Sequence, residues 1–260
     1  MNFPKKSLGQ NFLLDKNIIK KIVNIAEIRN KNIIEIGPGK GALTEEILKK
    51  KPRKLSIIEK DNDLFKLLKE KYNKNRLVKI INEDILKFDI EKIVSNNSII
   101  FGNLPYNISS QILVKIIKFK KWPPKFENLI FMFQKELGEK IIGKYSSLNY
   151  GRLSIISNYR FNISRKFYVS PNCFIPRPKV NSVVIQFKPK KEVIKIRNIE
   201  NLEKVTNVLF SNKRKMINKN LRKLLNKNQI SKISFINFKC RPSELKPELF
   251  YKIAQIIEKN

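Results

Sequence analysis

The feature that most constrains the fold is an alternation of short β-rich runs with stretches of helical periodicity over the first 190 residues. The early β-rich runs are almost unbroken apolar segments, which is typical of strands covered on both faces. Helical stretches lie between them, and this order predicts a doubly wound, mostly parallel sheet with ligands at the carboxyl ends of its strands. The strand candidates are Asn32–Ile36, Leu55–Glu59, Leu77–Ile81, Ser98–Gly102, Asn128–Phe133, Leu153–Phe161 and Ser182–Phe187, and the helix candidates between them include Thr44–Lys51, Asp61–Tyr72 and Ser109–Phe119.

Helical periodicity replaces this alternation at both ends of the chain. Near the N-terminus, Asp15 is a suitable N-cap for a helix, which leaves Lys5–Leu14 as an arm ahead of the sheet. After Pro189, no strand signal of comparable strength follows. We therefore expect a large α/β domain over residues 1–190 and a small all-α domain over residues 191–260. The helix candidates of the second domain are Glu200–Phe210, Lys215–Leu225 and Ser243–Ile257.

The charge balance indicates a polyanionic partner. The chain carries 55 Lys and Arg against 22 Asp and Glu, a formal net charge of +33, which is far more than solubility requires. Nucleic acid is the leading candidate. An alternative is that a compositional bias toward Lys, Asn and Ile accounts for part of the charge, which would then be solvated surface. That bias explains the abundance of lysine better than the scarcity of acidic residues.

The residue types exclude several kinds of chemistry. The chain has no histidine, which rules out the usual zinc sites and every histidine-based triad, and no metal site is expected. Cys173 and Cys240 lie far apart and in no ligand spacing. The N-terminus has no apolar targeting segment, and no later apolar run approaches the roughly 18 residues needed to cross a bilayer. We therefore expect no membrane partner and a cytoplasmic location.

The ends of the first three predicted strands carry groups suited to one ligand. The segment Glu35-Ile36-Gly37-Pro38-Gly39-Lys40-Gly41 follows the first strand, and its glycines permit a tight turn and close approach of a ligand to the backbone. Its G-x-G-x-G spacing is not that of the dinucleotide fingerprint, and the leading acid suits a ligand with an amino group. Glu59 ends the second strand, where a carboxylate can accept from both ribose hydroxyls. Asp84, just past the third, can accept from an adenine amino group.

Each acid alone has an ordinary alternative as a solvated loop carboxylate or a helix cap. The fourth strand end, Asn103-Leu104-Pro105-Tyr106, makes coincidence improbable. The exocyclic amine of adenine is a poor nucleophile because its lone pair is delocalised into the ring. The Asn103 side-chain oxygen and the Leu104 carbonyl, in a turn made rigid by Pro105, can each accept one hydrogen of that amine, while Tyr106 stacks on the base. This pattern predicts methyl transfer from S-adenosylmethionine to an adenine.

Read together, these residues resemble the KsgA family of small-subunit rRNA adenine N6,N6-dimethyltransferases, and the resemblance covers almost the whole chain. It implies a Rossmann-like class I methyltransferase domain over residues 1–190 and a helical rRNA-binding domain over residues 191–260. The segment Ser7-Leu8-Gly9-Gln10-Asn11-Phe12-Leu13 is similar to the arm of the family. The resemblance assigns the cofactor contacts to Asn11, Leu13, Gly37, Glu59, Asp84 and Asn103, and the base-holding positions to Asn103, Leu104 and Tyr106.

A second signature, Val169-Ser170-Pro171-Asn172-Cys173-Phe174-Ile175-Pro176-Arg177-Pro178-Lys179-Val180, also resembles the family. Its Phe174 matches a position that packs beside the target base opposite the tyrosine, which would hold an unstacked base between two rings. A core aromatic in a proline-rich loop is the alternative for Phe174. The basic cluster Lys213–Lys223 is a candidate grip on rRNA phosphates or a solvated helix face. Asn212 and Lys40 depart from the family pattern.

The resemblance implies an enzyme that dimethylates two adjacent adenines near the 3′ end of small-subunit (16S) rRNA during ribosome assembly. Its expected partner is that rRNA within a pre-30S particle, and nothing in the sequence demands more than a monomer. The nearest enzymatic alternative is the large-subunit rRNA adenine methyltransferase group of the antibiotic-resistance type; Leu104 and the Phe174 signature favour the small-subunit group. A further alternative, which is not primarily enzymatic, is an assembly factor that binds the immature small subunit and whose methylation is dispensable.

Overall fold

The computed structural model describes residues 9–258 of the chain. The first four residues of the predicted arm, Lys5, Lys6, Ser7 and Leu8, lie outside the described residues. The described chain divides into two compact units. The first runs to Gly138 and resumes with Asn162–Pro189, and the second comprises Glu139–Phe161 and the chain from Lys190 onward. The domain limits 1–190 and 191–260 stay a prediction, because this division takes the segment Glu139–Phe161 out of the first unit.

The first unit is built on a seven-stranded sheet, whose order is β4-β3-β2-β5-β6-β9-β7. The pairings of β3 with β4, of β2 with β3 and β5, and of β5 with β6 are parallel, and β9 is antiparallel to β6. This confirms the predicted mostly parallel α/β fold. The strands of the structure are β1 (Phe12–Leu13), β2 (Asn32–Ile36), β3 (Lys54–Glu59), β4 (Val78–Asn82), β5 (Ser98–Asn103), β6 (Phe126–Gln134), β7 (Phe161–Val169), β8 (Phe174–Ile175) and β9 (Ser182–Pro189).

Apolar residues on the central strands form the core of this unit. Ile33 of β2 pairs in register with Leu55 of β3 on one side and with Ile99 of β5 on the other, and all three side chains are buried. Helices cover the faces of the sheet, and the predicted N-cap Asp15 accepts hydrogen bonds from Asn17 N and Ile18 N. The helices of this unit are α1 (Lys16–Val23), α2 (Ala42–Lys49), α3 (Asn62–Tyr72) and α4 (Ser109–Ile117), and helix α5 (Lys135–Ile142) begins in this unit and ends in the second.

One strand prediction is wrong. The segment Leu153–Phe161 is not a strand, because residues Arg152–Arg160 form helix α6 and only Phe161 begins β7. Six of its nine residues are buried, including four consecutive ones, Ser154, Ile155, Ile156 and Ser157, so its burial follows no 3.6-residue period. A short buried helix and a buried strand cannot be distinguished in sequence when the apolar residues show no clear periodicity. Tertiary packing then determines which of the two forms.

Helices make up the regular structure of the second unit. Leu202 and Val205 of α7 and Phe250 and Ile253 of α10 are buried, and the ring of Phe210 stacks on that of Phe250 at 5.6 Å between centroids. The helices are α6, α7 (Ile199–Phe210), α8 (Asn218–Leu224), α9 (Lys227–Ser231) and α10 (Pro247–Ile257). Within residues 9–258, no helix has the length and apolar character needed to cross a bilayer.

A matched pair of leucines tests how much the sheet depends on its buried strands. Leu55 is fully buried in β3, and Leu77, whose carbonyl accepts from Leu55 N at 2.8 Å, is 42% exposed. We expect Leu55→Ala to lower the free energy of unfolding by roughly 2–5 kcal/mol, because it removes apolar contacts and leaves a cavity. Leu77→Ala should lower it by less than about 1 kcal/mol. Urea unfolding of both variants measures this difference, and equal losses would contradict it.

Candidate active site

A pocket of about 220 Å³ opens at the carboxyl ends of the parallel strands. The loops that follow β2, β3, β4 and β5 form its walls, and the described part of the arm, residues 9–14, forms another side. The structure thus brings eight of the nine predicted site residues together. Those eight are Asn11, Leu13, Gly37, Glu59, Asp84, Asn103, Leu104 and Tyr106.

The glycine loop after β2 makes room for the arm. Gly37, Gly39 and Gly41 have φ values of 66°, 59° and 84°, a region that glycine adopts at little cost. A Cβ built on Gly39 would lie 2.9 Å from Cδ1 of Phe12. The absence of a side chain at Gly39 therefore lets the aromatic ring of the arm lie directly on the loop.

The carboxyl group of Glu35 lies at the base of this loop and is 1% exposed. Its Oε2 accepts a hydrogen bond from Thr44 Oγ1 at 2.6 Å, which ties the end of β2 to helix α2. Burial raises the pKa of Glu35 to about 7; the Thr44 hydroxyl opposes this rise and the nearby Glu59 carboxylate adds to it. Glu35 therefore carries a proton over part of the neutral range unless a positively charged ligand favours its ionised form.

Glu59 is the last residue of β3, and its side chain is buried. Its Oε1 accepts from Asp61 N at 2.8 Å. Burial raises the pKa of Glu59, whereas hydrogen bonds from the backbone N–H groups of Asp61 and Gly39 act against the rise. The same backbone donors fix the position of this carboxylate on the pocket wall.

Asp84 lies past β4 and pairs with a lysine at the rim of the pocket. Its Oδ1 accepts from Leu86 N at 2.9 Å, and its Oδ2 accepts from Lys60 Nζ at 2.8 Å. The hydrogen bond from Lys60 lowers the pKa of Asp84, which keeps this carboxyl ionised at neutral pH. A ligand amine that approaches Asp84 therefore meets a carboxylate that already accepts two hydrogen bonds.

The side-chain amide of Asn103 is oriented by the arm. Its Nδ2 donates to the backbone oxygen of Asn11 at 3.2 Å, which leaves the amide oxygen to accept from a ligand. Leu104 follows with a buried side chain. The Tyr106 hydroxyl forms a 2.6 Å hydrogen bond with the Ser182 hydroxyl, and burial raises the pKa of Tyr106. Neutral Tyr106 and Ser182 thus hold each other in place at this end of the pocket.

Phe174 does not line the pocket. Its side chain is 2% exposed and lies in the apolar core with Leu13 and Val169. Strand β8, which begins at Phe174, pairs antiparallel with β1 of the arm, with Leu13 opposite Phe174 and Phe12 opposite Ile175. In this structure, Phe174 therefore anchors the arm, and its role beside a target base stays a prediction.

Several contacts at the site are not predicted by the sequence. Gln10 Nε2 donates to Asp61 Oδ2 at 3.1 Å, and the Lys40 ammonium lies 5.3 Å from the ring centroid of Phe12. These contacts hold the arm against the loops after β2 and β3. The contact of Ser182 with Tyr106 is also not predicted, because Ser182 lies 76 residues after Tyr106 and follows the signature that ends at Val180.

Comparison with known proteins identifies the class of this site. A family model described as ribosomal RNA adenine dimethylase matches residues 1–259. The ribosomal RNA small subunit methyltransferase A of Pelagibacter ubique is 44% identical over 255 residues, which cover 98% of this chain and 97% of that protein. The chain belongs to the ribosomal RNA adenine dimethylase family. It is an enzyme that transfers methyl groups from S-adenosylmethionine to adenine in ribosomal RNA.

Two solved structures share this fold. A dimethyladenosine transferase from Plasmodium falciparum has a TM-score of 0.79 at 24% identity, and the match covers 93% of this chain and 95% of that one. The 23S rRNA methyltransferase ErmE has a TM-score of 0.68 at 23% identity, with 95% of this chain and 100% of that one covered. At these identities the likeness establishes the methyltransferase fold of the chain.

The residues of the pocket fit S-adenosylmethionine. This donor joins an apolar adenine and a ribose to a chain that carries a sulfonium and an ammonium group. Ile58 and Ile85 supply apolar wall, while Glu59 and Asp84 supply carboxylates beside it. Because a cation bound away from water needs opposite charge nearby, this mixture suits a positively charged nucleoside better than a phosphorylated one.

The raised pKa of Glu35 predicts a pH-dependent stability in the absence of ligand. The folded protein holds a proton on Glu35 up to about pH 7, whereas the ordinary glutamate pKa is 4.5. Stability should therefore fall as pH rises through this window, by a contribution on the order of 3 kcal/mol. Urea unfolding at pH 5 and pH 8 measures this loss, and Glu35→Gln is the control because it cannot ionise. Equal losses in wild type and variant would refute the prediction.

Proposed function

We propose that the pocket holds S-adenosylmethionine beside a flipped adenine, with Asn103 between the two. The observation that carries this proposal is the hydrogen bond of the Asn103 amide nitrogen to the arm, which leaves the amide oxygen of this pocket-lining residue to accept from a ligand. The proposed cofactor contacts are Asn11, Leu13, Gly37, Glu59, Asp84 and Asn103. The proposed base-holding residues are Asn103, Leu104 and Tyr106, with Phe174 as a further predicted contact of the base.

Each cofactor contact has a chemical reason. The Glu59 carboxylate, held by backbone N–H groups, accepts from the two ribose hydroxyls. Asp84, kept ionised by Lys60, accepts from the adenine amino group. The positive φ at Gly37 brings backbone close to the ligand, and Asn11 and Leu13 cover it from the arm. When bound, S-adenosylmethionine supplies an electrophilic methyl group.

The residues of the fourth strand end make the adenine amine reactive. The Asn103 Oδ1 and the Leu104 carbonyl oxygen each accept one N6 hydrogen, which draws the nitrogen away from planarity and localises its lone pair. Pro105 limits the backbone freedom of this turn. No strong base is required, because the nitrogen becomes acidic as it gains the methyl group and its proton then leaves to solvent.

Tyr106 positions the base by stacking. Its hydrogen bond with Ser182 restricts rotation of the ring, so less conformational entropy is lost when the base arrives. Phe174 reaches the base only if the pairing of β8 with β1 rearranges when RNA binds, because its side chain is buried in the apolar core. We therefore assign Tyr106, rather than Phe174, as the residue that stacks on the base in the described conformation.

The substrate that the comparisons support best is small-subunit (16S) rRNA, with two adjacent adenines near its 3′ end as the target. Relatives at 40–44% identity are named ribosomal RNA small subunit methyltransferase A. The alternative substrate is large-subunit rRNA. Its support is the similarity to the 23S rRNA methyltransferase ErmE, which at 23% identity extends only to the fold. We place the reaction on a pre-30S particle in the cytoplasm, with the enzyme acting as a monomer.

The helical domain proposed over residues 191–260 supplies RNA affinity. Between Glu203 and Glu244 every charged residue is Lys or Arg. Helix α8 and the segment before it carry the cluster Lys213–Lys223, and Lys213, Arg214, Lys215 and Arg222 are exposed. An acid-free basic segment of this length attracts phosphates without reading base sequence.

Label transfer from S-adenosylmethionine tests the substrate. Unmethylated small subunits, large subunits and duplex DNA are offered side by side to the purified enzyme. We expect label in small subunits alone, recovered as dimethylated adenine, because the relatives at 40–44% identity are small-subunit enzymes. Label that appears only in large subunits would replace our assignment by the alternative.

Variants of two residues test the mechanism. Asn103→Ala removes the amide oxygen that accepts from N6 and should lower kcat by roughly 10²–10³-fold, by analogy with the loss of one preorganised polar contact. Tyr106→Phe keeps the ring and should retain most activity, whereas Tyr106→Ala should raise KM for RNA. Steady-state label transfer with small subunits measures all three, and Asn172→Ala, an exposed amide outside the pocket, is the control.

The non-catalytic alternative is tested in cells that lack the gene. If Asn103→Ala restores normal growth and ribosome assembly while transferring no label, binding rather than methylation is the principal function. Growth defects like those of the empty vector support catalysis, provided that the variant accumulates to the level of the wild-type protein.

A further inference from the structure

Two cations converge on one exposed ring in the first unit. The Lys135 ammonium lies 5.3 Å from the ring centroid of Tyr168, and the Arg165 guanidinium carbon lies 4.9 Å from it. Arg165 Nη1 also donates to the Tyr168 hydroxyl. All three residues are exposed, with Tyr168 at 42%. We call Lys135, Arg165 and Tyr168 the Tyr168 cluster.

Strand pairing places Lys135 of this cluster one residue from the strand pair that holds Tyr106. Gln134, the last residue of β6, pairs in register with Ser182, whose hydroxyl binds the Tyr106 hydroxyl at 2.6 Å. Lys135 is the next residue, and its backbone N–H donates to Asn181 O at 2.8 Å. Lys135 therefore lies at the carboxyl edge of the sheet, and the ring of Tyr168, near the end of β7, lies beside it.

The segment from Ile175, the last residue of β8, to the start of β9 has the composition of a surface for single-stranded nucleic acid. Ile175 and Val180 are 57% and 45% exposed, although both are large apolar residues. Arg177 and Lys179 lie between them and are also exposed. Apolar surface for bases, interleaved with cations for phosphates, is typical of proteins that bind unpaired strands.

We propose that the Tyr168 cluster binds a backbone phosphate of the nucleotide next to the target adenine. This inference rests on the proposed function, because it adds a subsite to the same RNA. An adenine that enters the pocket leaves its flanking phosphates outside, at the edge where the cluster lies. The Tyr168 ring restrains two long cationic side chains, so less side-chain entropy is lost when they grip a phosphate.

RNA-binding measurements on the full-length chain test the cluster. The probe is a short, fluorescently labelled single-stranded RNA with two adjacent central adenines, titrated by anisotropy at several salt concentrations. Lys135→Gln and Arg165→Gln should each raise Kd about 3–10-fold and reduce the slope of log Kd against log salt by about 0.7. Lys166→Gln is the matched control, because it removes one charge from an exposed neighbour of Arg165 in the same strand.

Two substitutions separate the ring from its charge partners. Tyr168→Ala should weaken RNA binding as the cation variants do, and Tyr168→Phe should restore most of it, because the ring is what restrains Lys135. Binding of S-adenosylmethionine, measured by calorimetry, should be unchanged in all of these variants. Wild-type RNA affinity in Lys135→Gln and Arg165→Gln, or an equal loss in Lys166→Gln, would overturn the proposal.

The test distinguishes this proposal from the proposed function. Loss of RNA affinity in the cluster variants, with no label transfer to small subunits by the wild-type enzyme, supports the phosphate subsite and rejects the assigned target. Normal label transfer by the wild-type enzyme, with unchanged RNA affinity in the variants, rejects the subsite and leaves the assigned target standing.

Discussion

Parallel pairing of buried strands is the constraint on which the site depends. Because β2 pairs in parallel with β3 and β5, and β3 with β4, the loops after these strands emerge at one edge of the sheet. Residues distant in sequence, such as Gly37, Glu59, Asp84 and Asn103, therefore line one pocket. The burial of apolar side chains in these strands stabilises the register, and a slip by one residue would exchange the faces of a strand. The apolar burial that stabilises the core therefore also fixes the positions of the pocket residues.

The acidic side chains at this edge of the sheet lie against an apolar core, which disfavours their ionised forms. Burial raises the pKa of Glu35 and of Glu59, whereas Lys60 lowers that of Asp84. Buried acids cost free energy when they ionise, and the backbone N–H groups near Glu59 recover only part of it. A cationic ligand supplies the remaining opposite charge. The pocket is therefore less favourable empty than with a positively charged donor in place.

The arm connects three separate parts of the site, namely the glycine loop, the turn at Asn103 and strand β8. It covers the glycine loop through Phe12, orients the Asn103 amide through the Asn11 carbonyl, and pairs with β8 through Leu13 and Phe174. Changes at β8, which begins at Phe174, can thus reach the pocket through two paired strands. None of these contacts is local in sequence, since Asn11 and Asn103 are 92 residues apart.

The sequence by itself determined the α/β class, the mostly parallel sheet and the strand-end positions of the candidate site, because apolar periodicity and turn residues are local properties of the chain. It failed at Arg152–Arg160, where burial of most of the helix leaves no 3.6-residue period to recognise. Only the tertiary structure decided that Phe174 lies in the core, that Ser182 holds Tyr106 and that Lys60 pairs with Asp84. The physical reason is that burial and hydrogen bonding at these residues depend on contacts between segments that only the folded sheet brings together.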